Sequence, residues 1–146
     1  MTETYDPYMG APAAPTLVFD VDGQAHLRAL AVRLIAAPCR SIDRDLHALL
    51  WPKSDEKVRA PVPRYTTSAD AVLRLIGTLL PRWVHGHTYM PAVAEDRAIE
   101  VRAWVAGPGY ISDDHMRDYF DAEAPTVAGA LALALVKCLA QNGNNA

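Results

Sequence analysis

Apolar residues recur at helical spacing in four parts of the chain, and each part predicts a helix. The first helix is expected over residues 24–37 and the third over residues 68–80, while the last one, after Pro125, has the clearest pattern. The predicted N-terminal signals are Asp22, Ser41, Thr67 with Asp70, and Pro125, and the first three helices end at Pro38, Pro52 and Pro81. The apolar stripes are Leu27, Leu30, Ala31, Leu34 and Ile35; Ile42, Leu46, Leu49 and Leu50; Val72, Leu73, Ile76, Leu79 and Leu80; and Val127, Leu131, Ala134, Leu135, Cys138 and Leu139.

Between the third and the last helix the pattern changes to a period of two, which is typical of strands. Residues 83–89 and 98–106 predict two strands that pair antiparallel across a loop at residues 91–97. Residues 16–21 (TLVFDV) predict a short edge strand or an extended lead-in to the first helix. The acidic stretch 110–124 is expected to be a loop with a short helical turn. The pattern therefore predicts an α+β domain.

Three segments in a fixed order resemble the phage ABA-sandwich domain family. They are residues 30–50 (LAVRLIAAPCRSIDRDLHALL), residues 64–75 (RYTTSADAVLRL) and residues 126–140 (TVAGALALALVKCLA), with a Trp-bearing strand region before the third. The resemblance covers roughly residues 27–141 and implies an antiparallel sheet packed between helices, an α/β/α sandwich. It also implies a phage or prophage protein, and it implies no activity. The expected layout is a tail at 1–15, one domain at 16–141 and a tail at 142–146.

Composition and charge limit the classes of function. The chain has 146 residues and a net charge of −3, so direct nucleic-acid binding is not expected, because it needs clustered Lys and Arg. No stretch reaches the roughly 18 continuous apolar residues of a membrane span, and residues 1–15 lack the pattern of a secretory signal. We therefore expect a protein of the host-cell cytoplasm. Cys39 and Cys138 are predicted to be reduced core thiols.

The segment Leu17–Gly23 (LVFDVDG) resembles the first motif of haloacid-dehalogenase-type phosphatases. In that chemistry Asp20 would attack phosphorus and Asp22 would act as general acid and base, while Asp113 and Asp114 could hold Mg²⁺. The motif normally continues with Thr, whereas Gln24 follows here, and the chain lacks the alternating β-α units of a parallel sheet. The favoured interpretation is a strand end followed by a helix cap, and an enzyme is not expected.

Two histidines separated by one residue form a second candidate site. His85 and His87 share one face of a strand, and His115 lies near Asp113 and Asp114 in the sequence. Zinc sites need three or four placed ligands, and the spacing fixes no third one. Surface histidines are the favoured interpretation, so no metal and no cofactor is expected.

The acidic stretch near residues 113–123 is interleaved with aromatic residues and methionine, which are enriched at protein interfaces. It predicts either a solvated loop or a docking surface. The candidate contact residues are Tyr110, Asp113, Asp114, Met116, Tyr119 and Phe120. Trp83 and Trp104 are expected in the core or on one exposed face of the sheet. The sequence thus favours a non-enzymatic module that binds a protein, with antagonism of a host defence system as the expected role. The alternative is a small-ligand protein, either one that sequesters nucleotides or a haloacid-dehalogenase-like phosphatase that uses Asp20 and Asp22. A homodimer fits both interpretations.

Overall fold

The computed structural model describes residues 15–52, 61–90, 100–113 and 118–142, which form five helices and one three-stranded sheet. In chain order the elements are α1 (Val21–Ala36), α2 (Arg40–Leu50), α3 (Ala69–Leu79), β1 (Val84–Met90), β2 (Glu100–Ala106), α4 (Pro108–Asp113), β3 (Tyr119–Ala124) and α5 (Val127–Asn142).

Helix α5 lies at the centre of the core. Every residue from 128 to 136 is buried, because α1, α3, β2 and β3 all pack against this helix. A helix that is apolar on all sides is typical of such a central position. Its first turn is held by Thr126, whose hydroxyl accepts a hydrogen bond of 3.0 Å from the Gly129 amide. Each buried Leu or Val contributes about 1.5–3 kcal/mol, so Leu131, Leu135 and Val136 alone make α5 a large contributor to the stability of the core.

The sheet has the order β1-β2-β3, and both strand pairs are antiparallel. Successive residues of the central strand β2 point to opposite sides. Val101, Ala103 and Val105 are buried against α5, whereas Arg102 and Trp104 lie on the other side and are exposed or half-buried. The predicted α+β class, with an antiparallel sheet packed against helices in one domain, is confirmed.

The helices begin at residues close to the predicted ones but not identical to them. The residues at the cap positions are Asp20 rather than Asp22, Cys39 rather than Ser41, and Ser68 rather than Thr67. All three have extended backbones, as the cap position requires. Asp20 accepts from the Gly23 amide at 2.8 Å, and residues 15–20 form no strand. The lead-in alternative for residues 16–21 is therefore the observed one.

Other predictions about segments differ from the structure. The stretch 110–124 was expected to be a loop with a short helical turn. The end of α4 agrees with the turn, whereas the whole of β3 lies where a loop was expected. Ile35 was expected in the core and is 70% exposed, because α1 buries its other side against α5. Three predicted segments lie wholly or partly outside the described residues: positions 1–14 of the tail at 1–15, the loop at 91–97, and positions 143–146 of the tail at 142–146. Asn142 was assigned to that second tail and is instead the last residue of α5. In the described ranges no helix has the length and apolarity needed to cross a membrane.

A buried polar latch joins α2 to residues 62–66. Asp43 is 1% exposed, and its carboxylate accepts from the Thr66 amide at 2.8 Å and from Arg40 at 3.3 Å. Arg40 also donates to the carbonyls of Val62 and Pro63. Because one buried carboxylate satisfies a buried backbone amide and a guanidinium, its removal leaves both donors without this acceptor.

We predict that Asp43→Ala lowers the free energy of unfolding by about 2–4 kcal/mol, the range for breaking one partner of a buried hydrogen-bonded pair. Urea denaturation measures the loss. Asp45→Ala is the matched control, since Asp45 pairs with Arg33 at 2.7 Å where both side chains are more than 40% exposed, and exposed pairs contribute about 0–1 kcal/mol. Equal losses in the two variants would contradict the role assigned to the latch.

Candidate functional site

The sheet face turned away from α5 is the candidate functional site, and it is called the open face below. The strand register places on it Val84, Gly86, Thr88 and Met90 of β1, Glu100, Arg102, Trp104 and Ala106 of β2, and Tyr119, Asp121 and Glu123 of β3. Val84 is 51% exposed. The open face thus carries aromatic, apolar and charged side chains together.

Trp104 is the central side chain of the open face, and it is packed over a glycine. Gly86 lies directly across from it in β1, and a Cβ placed on Gly86 would come within 2.4 Å of the Trp104 Cζ2 atom. The absence of a side chain at residue 86 therefore lets the indole lie against the β1 backbone. Trp104 remains half-buried, so part of its ring is still open to solvent.

A groove of about 460 Å³ runs beside this indole, and it is called the Trp104 groove below. Tyr110 of α4 and Tyr119 of β3 border it with their ring centroids 4.9 Å apart. Partial burial and the charge of Asp121 raise the pKa of Tyr119 above its ordinary value, so its hydroxyl is neutral near pH 7. Among the described residues, the lining consists of Val84, Thr88, Arg102, Trp104, Ala106, Tyr110 and Tyr119.

An ion pair crosses the open face next to the groove. Arg102 Nε lies 3.0 Å from Asp121 Oδ2, and Nη2 contacts the same oxygen. Hydrogen bonding to Asp121 raises the pKa of Arg102 further above its ordinary value, so the guanidinium stays charged. Asp121 is also directly opposite Trp104 in the register. The pair therefore holds two charges in place at the border of an aromatic surface.

The structure separates the predicted contact residues. Tyr110 and Tyr119 meet at the Trp104 groove, whereas Phe120 lies on the α5 side of the sheet with its ring centroid 6.2 Å from that of Trp83. Asp113 is the last residue of α4, and Asp114 and Met116 lie outside the described residues. The contact role of these residues stays a prediction. The sequence analysis did not predict that Gly86 or Arg102 belongs to a functional site. It placed Trp104 in the core or on an exposed face of the sheet, without assigning it to a binding site.

The aspartates of the LVFDVDG segment are part of a helix start. Asp20 caps α1 through its Oδ1 atom, and Asp22 lies in the first turn of α1, where the helix dipole favours acids. His85 and His87 both lie on β1 and are exposed, while His115 is outside the described residues. Among the residues that the structure describes, no three His, Cys, Asp or Glu side chains group closely enough to hold a metal ion.

A second groove of about 460 Å³ lies between α1 and the outer edge of β3, and it is called the α1 groove. Its apolar border includes Val32 and Ile35, which are 68% and 70% exposed. Lys137 of α5 also lines it and donates to the Asp121 carbonyl at 2.7 Å. The Trp104 groove is the better candidate, because Trp, Tyr and Arg are the residues enriched at the energetic centres of interfaces.

The two thiols are in opposite environments. Cys39 is exposed, so the prediction of a core thiol is wrong for it, and Cys138 is buried as predicted. The Ser41 hydroxyl, whose oxygen lies 3.1 Å from Cys39 Sγ, lowers the pKa of Cys39 most, followed by the Ile42 amide. Burial raises the pKa of Cys138 to about 12.

We predict that Gly86→Ala displaces the Trp104 indole and costs about 1–3 kcal/mol, as overpacking does. The indole N–H resonance of Trp104 should move in NMR spectra while that of Trp51, which is 2% exposed, stays in place. Gly77→Ala in α3 is the matched control, because a Cβ there meets nothing within 4 Å, and it should stabilise by about 0.5–1 kcal/mol. An unmoved Trp104 resonance in Gly86→Ala would show that the indole does not rest on residue 86.

We also predict that iodoacetamide alkylates Cys39 with a pH midpoint below 9, since the thiolate is the nucleophile and its pKa is lowered. Cys138 should stay unmodified in the native protein up to that pH, because its pKa is raised. Mass spectrometry of Cys39→Ala and Cys138→Ala, which each retain one thiol, measures the two rates. Comparable rates at pH 8 would contradict the assignment.

Comparison with known proteins gives no match: no family model, no curated protein and no solved structure matches the chain. The resemblance to phage ABA-sandwich domains therefore stays a prediction.

Proposed function

We propose that this chain is a non-enzymatic binding module that holds a protein partner on the open face of its sheet. The observation that carries the proposal is the Trp104 groove, an open depression bordered by three aromatic side chains and by Arg102, which Asp121 holds in an ion pair. Interface centres are enriched in Trp, Tyr and Arg, and each such residue often contributes about 2 kcal/mol or more. Trp104, Tyr119 and Arg102 provide all three types on one surface.

The groove favours a protein over a nucleotide. Phosphate groups need positive charge or free backbone amides, whereas Arg102 is already paired with Asp121. Glu123 lies directly across from Arg102 and is exposed, which adds negative charge where a phosphate would sit. These charges argue against the nucleotide-sequestering alternative at this site.

Location in the host-cell cytoplasm and antagonism of a host defence system are the parts of the proposal that depend on the phage resemblance alone.

We predict that affinity capture from the cells that express the chain retains a partner with the native protein. Trp104→Ala and Tyr119→Ala should each reduce its recovery at least about tenfold, which corresponds to about 1.4 kcal/mol. Thermal melts establish that both variants are folded. Arg74→Ala, on the exposed side of α3, is the control and should retain the partner.

Phe120→Ala distinguishes the two faces of β3. Its ring stacks on Trp83 on the α5 side, so this variant should lower the melting temperature and leave partner recovery intact. Equal recovery by the native protein, Trp104→Ala and Tyr119→Ala would refute the open face as the binding surface.

A further inference from the structure

Negative charges outnumber positive charges on the open face. Glu100 of β2 and Asp121 and Glu123 of β3 place three carboxylates on it, against the single guanidinium of Arg102. The β1 residues on the same face, from Val84 to Met90, are uncharged. Within the described strands the open face therefore has a net charge of −2. Arg102 is held by Asp121, which leaves Glu100 and Glu123 as the carboxylates without that guanidinium.

The aromatic surface adjoins the two carboxylates of β3, and Glu100 lies farther along β2. Trp104 occupies β2 between Arg102 and Ala106, directly opposite Asp121, and its indole covers Gly86 on the side of β1. A cation over an indole ring is attracted by the ring quadrupole, most strongly for Trp. Carboxylates nearby add attraction for the same cation and repel anions. The indole ring and the carboxylates therefore both favour a cationic group on the ligand.

Arg102 is the charged residue among those that line the groove, and Asp121 balances its charge. Val84 and Ala106 also line the groove beside the aromatic rings, so the methylene chain of a long basic residue finds apolar contact there. A second copy of this chain is a poor occupant of the groove, because its open face would bring the same net negative charge against this one.

We propose that the Trp104 groove receives a lysine or arginine side chain from an apolar, basic segment of the protein partner. This inference rests on the proposed function, since it names the chemistry of the partner at the same open face. The cation lies over the Trp104 indole, and Glu100 and Glu123 supply the charge that complements it.

The test uses two N-acetylated, C-amidated pentapeptides as probes, one alternating valine with arginine and the other alternating valine with glutamate. NMR titration follows the indole N–H resonances, and Trp104→Phe assigns the one from Trp104. The arginine peptide should shift the Trp104 resonance in a saturable way at least fivefold more tightly than the glutamate peptide. The resonance of buried Trp51 should not respond.

The carboxylates are tested separately from the ring. The double variant Glu100→Gln with Glu123→Gln should weaken arginine-peptide binding about five- to tenfold and leave the melting temperature nearly unchanged. Asp70→Asn, which removes an exposed carboxylate at the start of α3, is the matched control and should bind as the native protein does.

Three results would overturn the inference: equal binding of the two peptides, no shift of Trp104 with either peptide, or unchanged binding by the double variant. These results leave the proposed function standing if Trp104→Ala still loses the captured partner. If capture is unaffected by Trp104→Ala, the open face itself is wrong as the binding surface, whatever the peptides do.

Discussion

Burial of α5 on all sides is the constraint on which the rest of this structure depends. An apolar helix of this kind must be covered by other elements, and α1, α3, β2 and β3 supply the cover. The sheet meets this need with only one of its two faces. Val101, Ala103 and Val105 complete the core, and the alternate residues of the same strand then necessarily point away from it. The open face is thus a geometric consequence of how the core is built.

The main elements of the fold could be predicted from the sequence because their patterns are local. Apolar spacing located α1, α2, α3 and α5, and the alternation in β2 was visible residue by residue. Strand β3 was missed because acidic residues alternate with Phe120, Ala122 and Ala124, and small apolar side chains give a weak signal of burial. The exposure of Ile35 could not be predicted either, since α1 is apolar on two sides and only tertiary packing decides which of them is buried.

The candidate site was harder to predict because it depends on strand register. Tyr119 and Phe120 are neighbours in sequence. Because their segment was predicted to be a loop, both were assigned to one contact surface. In a strand they point to opposite faces, so one borders the Trp104 groove and the other stacks on Trp83. The support of Trp104 by Gly86 has the same origin, because residues 86 and 104 are paired only by the antiparallel register. A single-residue shift would remove both features.

Two tryptophans packed over glycines show how the same arrangement acts differently on the two faces. Trp83 covers Gly107 on the α5 side, where it stacks on Phe120, and this contact belongs to the core. Trp104 covers Gly86 on the open face, where Tyr110 of α4 and Tyr119 border its groove and part of the indole stays open to solvent. The outer edge of β3 is less suited to binding, because Lys137 already donates to the Asp121 carbonyl and a charged side chain discourages addition of another strand. Because that edge is protected, β3 is best placed to contact a partner through the side chains that it contributes to the open face.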